Sequence, residues 1–360
     1  MLAGTQDFHY EIGVGTDKGE RGMSSKPQLL VTVDTEADDL WGHPRQPTTR
    51  NIREVPRLQD LLERHGVRPT YLVSHAVASD RAAAGILAGL LRDGRCEIGA
   101  HLHAWATPPP FPIRGPLWDC HAYLYQYPED VQRAKFAALH ETLVRAFDVE
   151  PISHRAGKYG LDGHGVGLLR EFGYRVDTSV TPMWTWEDDV QAGVRGPDFR
   201  AAPCGVYELS EQDVCVAGRS GVMEVPPSIG LTRRLPGVVV GRVRRLHQHG
   251  LTMGVLGKLL GLRKRRFRPF IDAPLGQVES AARWLLDRGA GYLNMMFHSS
   301  ELIPNSQWCR NEAEVATWLG RIEAMIRVAI DLRCETGMTL AEFAESARSR
   351  IDGRDRHQET

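Results

Sequence analysis

Short apolar stretches rich in β-branched residues alternate along the chain with longer stretches whose apolar residues have helical spacing. The first apolar stretch, residues 29–33, ends abruptly in acidic residues and is typical of a buried strand. The same character predicts further strands over 67–74, 96–101, 151–155, 174–177 and 292–297. Helical spacing predicts helices over 56–65, 80–91, 128–147, 162–172, 276–288 and 312–334. Strands that alternate with helices over short connections predict a parallel sheet or barrel covered by helices.

One interruption of this alternation bears on the domain organisation. From 184 to 227 short strands and turns replace it, and a basic amphipathic piece extends over about 231–270 before the regular pattern resumes. We predict a single barrel-like α/β domain over 27–345 with an insertion at about 231–270, rather than two independent domains. Residues 1–26 are expected to be a disordered leader and residues 346–360 a polar tail.

Composition and charge restrict the function classes. The chain has 360 residues, 42% hydrophobic and 25% charged, and a formal net charge of −1. These values are ordinary for a soluble globular protein and give no basic field for binding nucleic acid. No run approaches about 18 consecutive apolar residues, so no membrane span is expected. The polar first 26 residues lack the apolar core of a signal peptide, so we expect a cytoplasmic protein.

Ionisable residues stand where five of the predicted strands end. In parallel α/β barrels the active site is built at the carboxyl ends of the strands, from the loops that follow them. Acids, imidazoles and a guanidinium gathered at one rim are hard to explain by packing, and they predict an active site there. The candidate residues are Asp34, Glu36, His101, His103, Arg155, Asp177 and His298.

The spacing of the first four candidates favours a metal site. Asp34 and Glu36 are two positions apart and share one face of an extended strand, where their burial costs free energy unless a cation or hydrogen bonds compensate. His101 and His103 likewise place two imidazoles on one side of an extended segment, and with one carboxylate they would form a three-ligand site. Taken alone, the acids are also consistent with a turn that faces water, and a single histidine at a strand end is often a hydrogen-bonding residue.

Five segments in order give the chain a resemblance to a known family. From about residue 29 to residue 302 it resembles the polysaccharide deacetylases of the NodB-homology type, carbohydrate esterase family 4. This resemblance implies a distorted (β/α)7-type barrel and a metal-dependent hydrolase. The matching segments are Thr32-Val33-Asp34-Thr35-Glu36, Glu97-Ile98-Gly99-Ala100-His101-Leu102-His103, Arg155-Ala156-Gly157-Lys158-Tyr159-Gly160, Arg175-Val176-Asp177-Thr178-Ser179 and Met295-Met296-Phe297-His298.

The resemblance implies that Glu36, His101 and His103 bind a divalent metal ion, Zn²⁺ in the first place and Co²⁺ or Ni²⁺ as alternatives. Two spacings depart from the family pattern. The acids of the first motif are usually adjacent, but here one residue separates Asp34 from Glu36, and the histidines are usually four apart, but Trp105 stands at that position. The residues alone leave open which acid is the ligand. The family order, base first and ligand second, gives that role to Glu36.

The resemblance also implies four catalytic residues. Asp34 would take a proton from water, and Arg155 would hold that carboxylate oriented and ionised. His298 would protonate the departing amine, with Asp177 setting the protonation of His298.

These features predict a hydrolase that removes an N-acetyl group from an amino sugar in a glycan, a glycan precursor or a glycosylated metabolite. Two alternatives stay open. One is an amidase of the same fold that acts on a different C–N bond, such as a deformylase or a ureide hydrolase, and the other is a carbohydrate-binding protein without activity. The expected partner is an N-acetylated saccharide. The basic run from Arg263 to Arg268 is expected to be a solvated face, or else to contact phosphate or an anionic surface.

Overall fold

A curled eight-stranded sheet forms the centre of this computed structural model, which describes residues 26–42, 46–111, 121–191, 193–233 and 263–358. Two more strands, β8 and β9, pair separately. The strands are β1 Gln28–Thr35, β2 Thr70–Val73, β3 Glu97–Leu102, β4 Ser153–Ala156, β5 Val176–Asp177, β6 Tyr207–Glu208, β7 Met223–Glu224, β8 Ile229–Leu231, β9 Lys264–Arg266 and β10 Tyr292–His298.

The order of strands across the large sheet is β10-β1-β2-β3-β4-β5-β7-β6. The first seven in this order are parallel, and β6 pairs with β7 in the antiparallel direction. Seven parallel strands confirm the predicted distorted (β/α)7-type barrel. Because parallel strands end at the same edge, the residues that follow β1, β3, β4 and β10 come together there.

Helices cover the outer face of the sheet. Asp80 caps α3, since its carboxylate accepts hydrogen bonds from the backbone N–H groups of Ala82 and Ala83. The described helices are α1 Val55–Glu63, α2 His75–Ser79, α3 Arg81–Arg92, α4 Glu129–Phe147, α5 Gly163–Glu171, α6 Leu275–Leu286, α7 Glu312–Asp331 and α8 Leu340–Gln358.

Two predicted boundaries are displaced for local reasons. The strand predicted from residue 67 begins at Thr70, directly after Pro69, which has no N–H to donate to a neighbouring strand. The helix predicted to end at Cys334 ends at Asp331, because Arg333 has a positive φ of 68° that a helix does not allow.

Strand β1 shows how the barrel interior becomes polar toward the site. All eight of its residues are buried. The apolar residues at 29, 31 and 33 belong to the main core. On the other face, Leu30 packs in a smaller cluster with Phe343 of α8, whereas Thr32 and Asp34 are polar. Helix α8 therefore covers the end of the barrel opposite to the carboxyl ends of the strands.

Residues that follow β7 close the gap between the two sides of the sheet. The N–H of Ser228 donates to the carbonyl oxygen of Asn294 at 3.1 Å, and the N–H of Asn294 donates to Ser228 Oγ at 2.8 Å. Asn294 Nδ2 also donates to the carbonyl oxygen of Val225 at 3.3 Å. These bonds connect β10 with the segment after β7, so the barrel closes through loop and side-chain contacts.

The predicted domain boundaries stay predictions. Residues 1–25 of the predicted leader and residues 234–262 of the predicted insertion lie outside the described residues. The last part of the insertion contains β9, and helix α8 extends to Gln358 where a polar tail was predicted. Within the described part of the chain, no helix is both long and apolar enough to cross a membrane.

Candidate active site

A cavity of about 250 Å³ lies at the carboxyl ends of β1, β3, β4 and β10. Glu36 and Arg155 lie directly behind its surface, bonded to lining residues, whereas Asp177 is bonded elsewhere. The other four predicted site residues line the cavity. They are Asp34, His101, His103 and His298.

Glu36, His101 and His103 form a buried group in which one donor atom of each residue lies within 4.8 Å of the others. His103 Nε2 is 2.7 Å from Glu36 Oε2, and His101 Nε2 is 3.5 Å from the same oxygen. The two imidazoles project from one side of the chain at the end of β3, with ring centroids 4.4 Å apart, as the alternation of extended backbone requires. One carboxylate and two imidazoles are a donor set that suits Zn²⁺ or a similar divalent ion.

The end of strand β4 and the residue after it orient both imidazoles. His101 Nδ1 is 2.9 Å from the carbonyl oxygen of Arg155. Because a carbonyl only accepts, Nδ1 carries a hydrogen and Nε2 is the ring nitrogen that faces Glu36. His103 lies so close to Gly157 that a Cβ there would be 2.6 Å from His103 Nδ1. The glycine of the third motif therefore makes room for the second imidazole.

Three polar groups hold Glu36. Its carbonyl oxygen accepts from Asn51 Nδ2 at 2.9 Å, and its N–H donates to Ser299 Oγ at 3.1 Å. Trp41 Nε1 donates to Glu36 Oε1 at 3.2 Å, which leaves Oε2 toward the histidines. Backbone and side chain are thus both fixed before any ligand is present, as a preorganised site needs.

Both acids of the first motif are ionised. Burial raises the pKa of Glu36, but the neighbouring imidazoles outweigh burial and bring its pKa well below the usual value. Burial is likewise outweighed at Asp34, chiefly by the Arg155 guanidinium, so its pKa is lowered. Burial lowers the pKa of His101, but the facing carboxylates of Asp34 and Glu36 outweigh it and raise that pKa overall. Burial and the His101 charge lower the pKa of His103.

Arg155 fixes Asp34 from inside the barrel. Its Nη1 donates to Asp34 Oδ1 at 2.5 Å, and its Nη2 donates to Thr32 Oγ1 at 2.8 Å and to Thr178 Oγ1 at 3.1 Å. Arg155 is fully buried. The other oxygen, Asp34 Oδ2, lies 3.7 Å from His298 Nε2. The carboxylate therefore has one oxygen bound to Arg155 and one facing the cavity.

His298 is held on the side away from Asp34 by a buried ion pair. Arg268 Nη2 is 2.9 Å from His298 Nδ1 and also forms a salt bridge with Glu301. Glu301 Oε1 is farther from Nδ1, at 3.3 Å. Since a guanidinium only donates, Nδ1 accepts from Arg268 and the ring hydrogen is on Nε2, which faces the cavity. The Trp308 ring stacks on the imidazole with centroids 5.2 Å apart and keeps its plane fixed.

A second buried polar group surrounds Asp177. His154 Nδ1 lies 2.7 Å from Asp177 Oδ2, and the N–H of Ser179 donates to Oδ1 at 2.8 Å. Glu224, the residue paired with Asp177 on β7, is fully buried beside it. Burial and the Asp177 charge raise the pKa of Glu224 well above its usual value. Glu224 therefore favours its neutral form beside Asp177, and its Oε1 accepts from the N–H of Val180 at 3.1 Å.

Comparison with known proteins identifies the fold. No protein-family model matches the chain, and no curated protein matches it significantly. A candidate polysaccharide deacetylase from Mycobacterium smegmatis is 16% identical, with a TM-score of 0.50 over 92% of this chain and 93% of that one. A candidate glycoside hydrolase/deacetylase from Parabacteroides distasonis is 10% identical, with a TM-score of 0.55 over 90% of this chain and 72% of that one. The chain has the polysaccharide deacetylase fold.

Within this polysaccharide deacetylase fold, Asp177 does not have the contact that the sequence suggested. It is turned toward His154 and forms no hydrogen bond or ion pair with His298 among the described residues. The Nδ1 side of His298 is occupied by Arg268 and Glu301 instead. The influence of Asp177 on the protonation of His298 therefore has no direct path in this structure.

Sequence reasoning missed several residues that support the site of this deacetylase fold. Glu224 carried a signal, since it is an acid inside the apolar stretch 222–227, and Arg268 ended the basic run that was noted without a place in the site. The sequence around Asn51 and Ser299 contained no such signal. Single polar residues in loops gain a role only from the carbonyl or N–H that the fold brings next to them.

Proposed function

We propose that the protein is a metal-dependent hydrolase that removes an N-acetyl group from an amino sugar. The observation that carries this proposal is that three functional groups lie together at one cavity. These are the buried group of Glu36, His101 and His103, a carboxylate at Asp34 fixed by a guanidinium, and an imidazole at His298 with its Nε2 hydrogen toward the cavity. Together they supply a metal site, a base and an acid.

The residues present fit a divalent metal ion. The three donors are buried and converge within 4.8 Å, and the hydrogen bond of His101 Nδ1 to the carbonyl oxygen of Arg155 leaves Nε2 to serve as a ligand. Two ionised acids, Asp34 and Glu36, are balanced by one fully buried guanidinium, Arg155, so a cation at the group would compensate the remaining negative charge. When bound, such an ion would polarise an acyl carbonyl and lower the pKa of water.

Asp34 is the general base in this proposal. Its Oδ1 is bound by Arg155, and its Oδ2 faces the cavity with an ionised charge. A carboxylate that keeps its charge and its direction can accept a proton from water without reorganising. Arg155 thus acts through Asp34 by holding it.

His298 is the general acid in this proposal. A leaving amine must take up a proton when the C–N bond breaks, and the hydrogen on His298 Nε2 points into the cavity 3.7 Å from Asp34 Oδ2. Arg268 holds the ring in this tautomer, because its N–H occupies the Nδ1 lone pair. The base and the acid therefore stand side by side at the same rim.

A glycoside hydrolase is the competing function, because the neighbour from Parabacteroides distasonis is described as a glycoside hydrolase/deacetylase. Cleavage of a glycosidic bond usually needs one carboxylic acid that is protonated at neutral pH and lies beside the bond. The pKa values of Asp34 and Glu36 are both lowered, so neither acid has that proton. This favours acyl transfer to water over glycoside cleavage.

The decisive experiment combines metal analysis with product analysis. Wild type, His101→Ala and His103→Ala would be purified, analysed for bound Zn²⁺, Co²⁺ and Ni²⁺, and assayed for acetate release from N-acetylglucosamine and its oligomers. We expect bound metal and acetate release in wild type and loss of both in the two variants. His164→Ala, which removes an exposed histidine of α5, is the matched control and should behave as wild type.

Other products would redirect the proposal. Release of formate or urea in place of acetate would assign a different C–N bond to the same fold. Reducing-end sugars without acetate would favour the glycoside hydrolase. A protein that takes up no metal on reconstitution would contradict the mechanism and leave a carbohydrate-binding role.

A further inference from the structure

The basic run that includes β9 does not form a solvated face. Lys264 and Arg266 project from one side of the strand, and Arg265 projects from the other, where its Nε donates to Gln277 Oε1 at 3.0 Å. The alternation continues beyond the strand, so that Arg266 and Arg268 both line the catalytic cavity. Two of the six residues from Arg263 to Arg268 thus face the site rather than solvent.

Arg266 differs from the other cations of this cavity in its partners. Lys158 pairs with Asp189 at 2.9 Å, and Arg268 pairs with Glu301. Arg266 forms no salt bridge with a carboxylate in the part of the chain that the structure describes, and its only side-chain hydrogen bond there is to Tyr159. It is the guanidinium of the cavity whose charge no acid neutralises.

Aromatic rings surround Arg266 without using its in-plane hydrogen-bond donors. Its Cζ lies 5.0 Å from the ring centroid of Trp184, 5.7 Å from that of Trp186 and 4.9 Å from that of Phe270. Such rings stabilise the positive charge and fix the plane of the group. A guanidinium has five N–H donors, and Tyr159 can accept only part of them. A partly buried guanidinium whose plane is fixed, and which has N–H donors beyond the one bound to Tyr159, is suited to bind a carboxylate or a phosphate.

We propose that Arg266 binds an anionic group, a carboxylate or a phosphate, carried by the N-acylated sugar itself. This inference rests on the proposed function and narrows its substrate class to acidic amino sugars. Arg266 lines the same cavity as Asp34 and His298, so its anion belongs to the molecule whose amide is cleaved. A flat anionic surface would have to reach a partly buried side chain enclosed by three aromatic rings, which its shape prevents.

The test compares charged substrates with a neutral one. Acetate release would be measured for N-acetylglucosamine, its 1-phosphate, its 6-phosphate and N-acetylmuramic acid, with wild type, Arg266→Met, Arg266→Lys and Arg265→Met. We expect wild type to prefer at least one anionic substrate by kcat/KM. Arg266→Met should reduce kcat/KM for that substrate about tenfold to a hundredfold, the usual effect of losing a charge-assisted hydrogen bond. The value for N-acetylglucosamine should fall much less, because that substrate has no anionic group for Arg266 to bind.

The two further variants separate charge from packing. Arg266→Lys keeps the charge but loses the fork, so it should restore part of the preference for the anionic substrate. Arg265→Met removes a neighbouring cation of the same strand that does not line the cavity, and it should leave the preference intact. Comparison of the two phosphate substrates with N-acetylmuramic acid shows whether the preferred anion is a phosphate or a carboxylate.

Binding gives a readout that does not depend on turnover. Glucosamine, its two phosphates and muramic acid would be titrated into wild type and Arg266→Met while tryptophan fluorescence is followed, since Trp184 and Trp186 lie next to Arg266. Arg266-dependent binding of an anionic ligand without any acetate release would support this inference and contradict the proposed function alone. Equal loss for neutral and anionic ligands in Arg266→Met, or no preference for any anionic ligand in wild type, would overturn the inference.

Discussion

Single hydrogen bonds decide what each histidine of the site can do. The carbonyl oxygen of Arg155 accepts the hydrogen of His101 Nδ1, so the Nε2 of that ring has a lone pair for a metal ion. Arg268 donates to the Nδ1 of His298, so the Nε2 of that ring has a hydrogen for a leaving group. Two residues of one type at one rim are thus prepared for opposite tasks by the partner of their second nitrogen.

Gly157→Ala tests how closely the second imidazole depends on its surroundings. The added Cβ would lie 2.6 Å from His103 Nδ1 and 2.7 Å from the carbonyl oxygen of Leu102, so both the His103 ring and the chain at residue 157 must move. We expect metal affinity to fall about tenfold to a hundredfold, as for loss of a group that orients a ligand. Titration of the metal-free variant with Zn²⁺ would measure it.

Gly85→Ala is the matched control for this substitution. It adds the same methyl group in helix α3, at an exposed position with no atom within 4 Å of the new Cβ. Its metal affinity should equal that of wild type. Unchanged affinity in Gly157→Ala as well would show that His103 is not a ligand.

The adjacent strands β5 and β7 each contribute one buried acid. The two acids of the site are both ionised, whereas one acid of this pair favours its neutral form. Asp177 and Glu224 are register partners on adjacent parallel strands, and both are fully buried. Burial favours the neutral form of both, but the hydrogen bond and charge of His154 bring the pKa of Asp177 down, whereas Glu224 beside it has a raised pKa. Burial between these two short strands therefore favours a proton on Glu224.

Glu224→Gln is predicted to make stability less dependent on pH. The pKa of Glu224 is raised in the folded state, so its contribution is complete below the unfolded value of about 4.3 and is lost as pH rises through the folded value. Glutamine keeps the shape of the side chain and an oxygen that can accept from the N–H of Val180, but it cannot ionise. The free energy of unfolding in urea, measured at pH 5 and pH 8, should therefore differ less in the variant than in wild type.

Glu141→Gln serves as the control for that measurement, because Glu141 is an exposed acid on α4. Its pH dependence should follow that of wild type. If Glu224→Gln also followed wild type at both pH values, Glu224 would not be neutral in the folded protein.

At the scale of the whole molecule, closure of the barrel and orientation of the base depend on one polar network. Asn294 connects β10 with the segment after β7, and its side chain also binds Thr32 Oγ1 at 3.0 Å and Thr178 Oγ1 at 3.1 Å. Both threonine hydroxyls accept from Arg155, which holds Asp34. The network that closes the barrel is therefore continuous with the network that positions the proposed base.

Asn294→Leu should reduce both stability and activity. The substitution leaves buried polar partners without their hydrogen bonds, at a cost of about 1–3 kcal/mol for each. We expect the free energy of unfolding to fall by about 2–4 kcal/mol and acetate release to fall because Arg155 loses part of its support. Ser228→Ala removes only the acceptor of the Asn294 N–H, so it should lower stability and leave turnover near the wild-type value. Equal activity in both variants would contradict a shared network.

The sequence by itself determined the strands and most of the residues at their ends. Apolar β-branched runs are typical of buried strands and can be recognised from the local sequence. Parallel strands bring their carboxyl ends to one rim. The alternation of extended backbone put His101 and His103 on one side, and the resemblance to polysaccharide deacetylases gave the role of third ligand to Glu36. The order of the elements predicted a parallel sheet or barrel, because βα connections have few possible arrangements, and the resemblance to polysaccharide deacetylases pointed to the distorted (β/α)7-type barrel.

Only the tertiary structure decided the partners of those residues. Arg268 reaches His298 from 30 positions away, Glu224 is 47 positions from Asp177, and Arg266 arrives at the cavity from a separate two-stranded sheet. Such contacts depend on strand register and on the path of a loop, which local patterns do not encode. The sequence of the basic run predicted a solvated face. Only the pairing of β9 with β8 shows which of its side chains point inward. Residue type and spacing therefore identify the candidate chemistry, and the fold determines the charge and direction of each group.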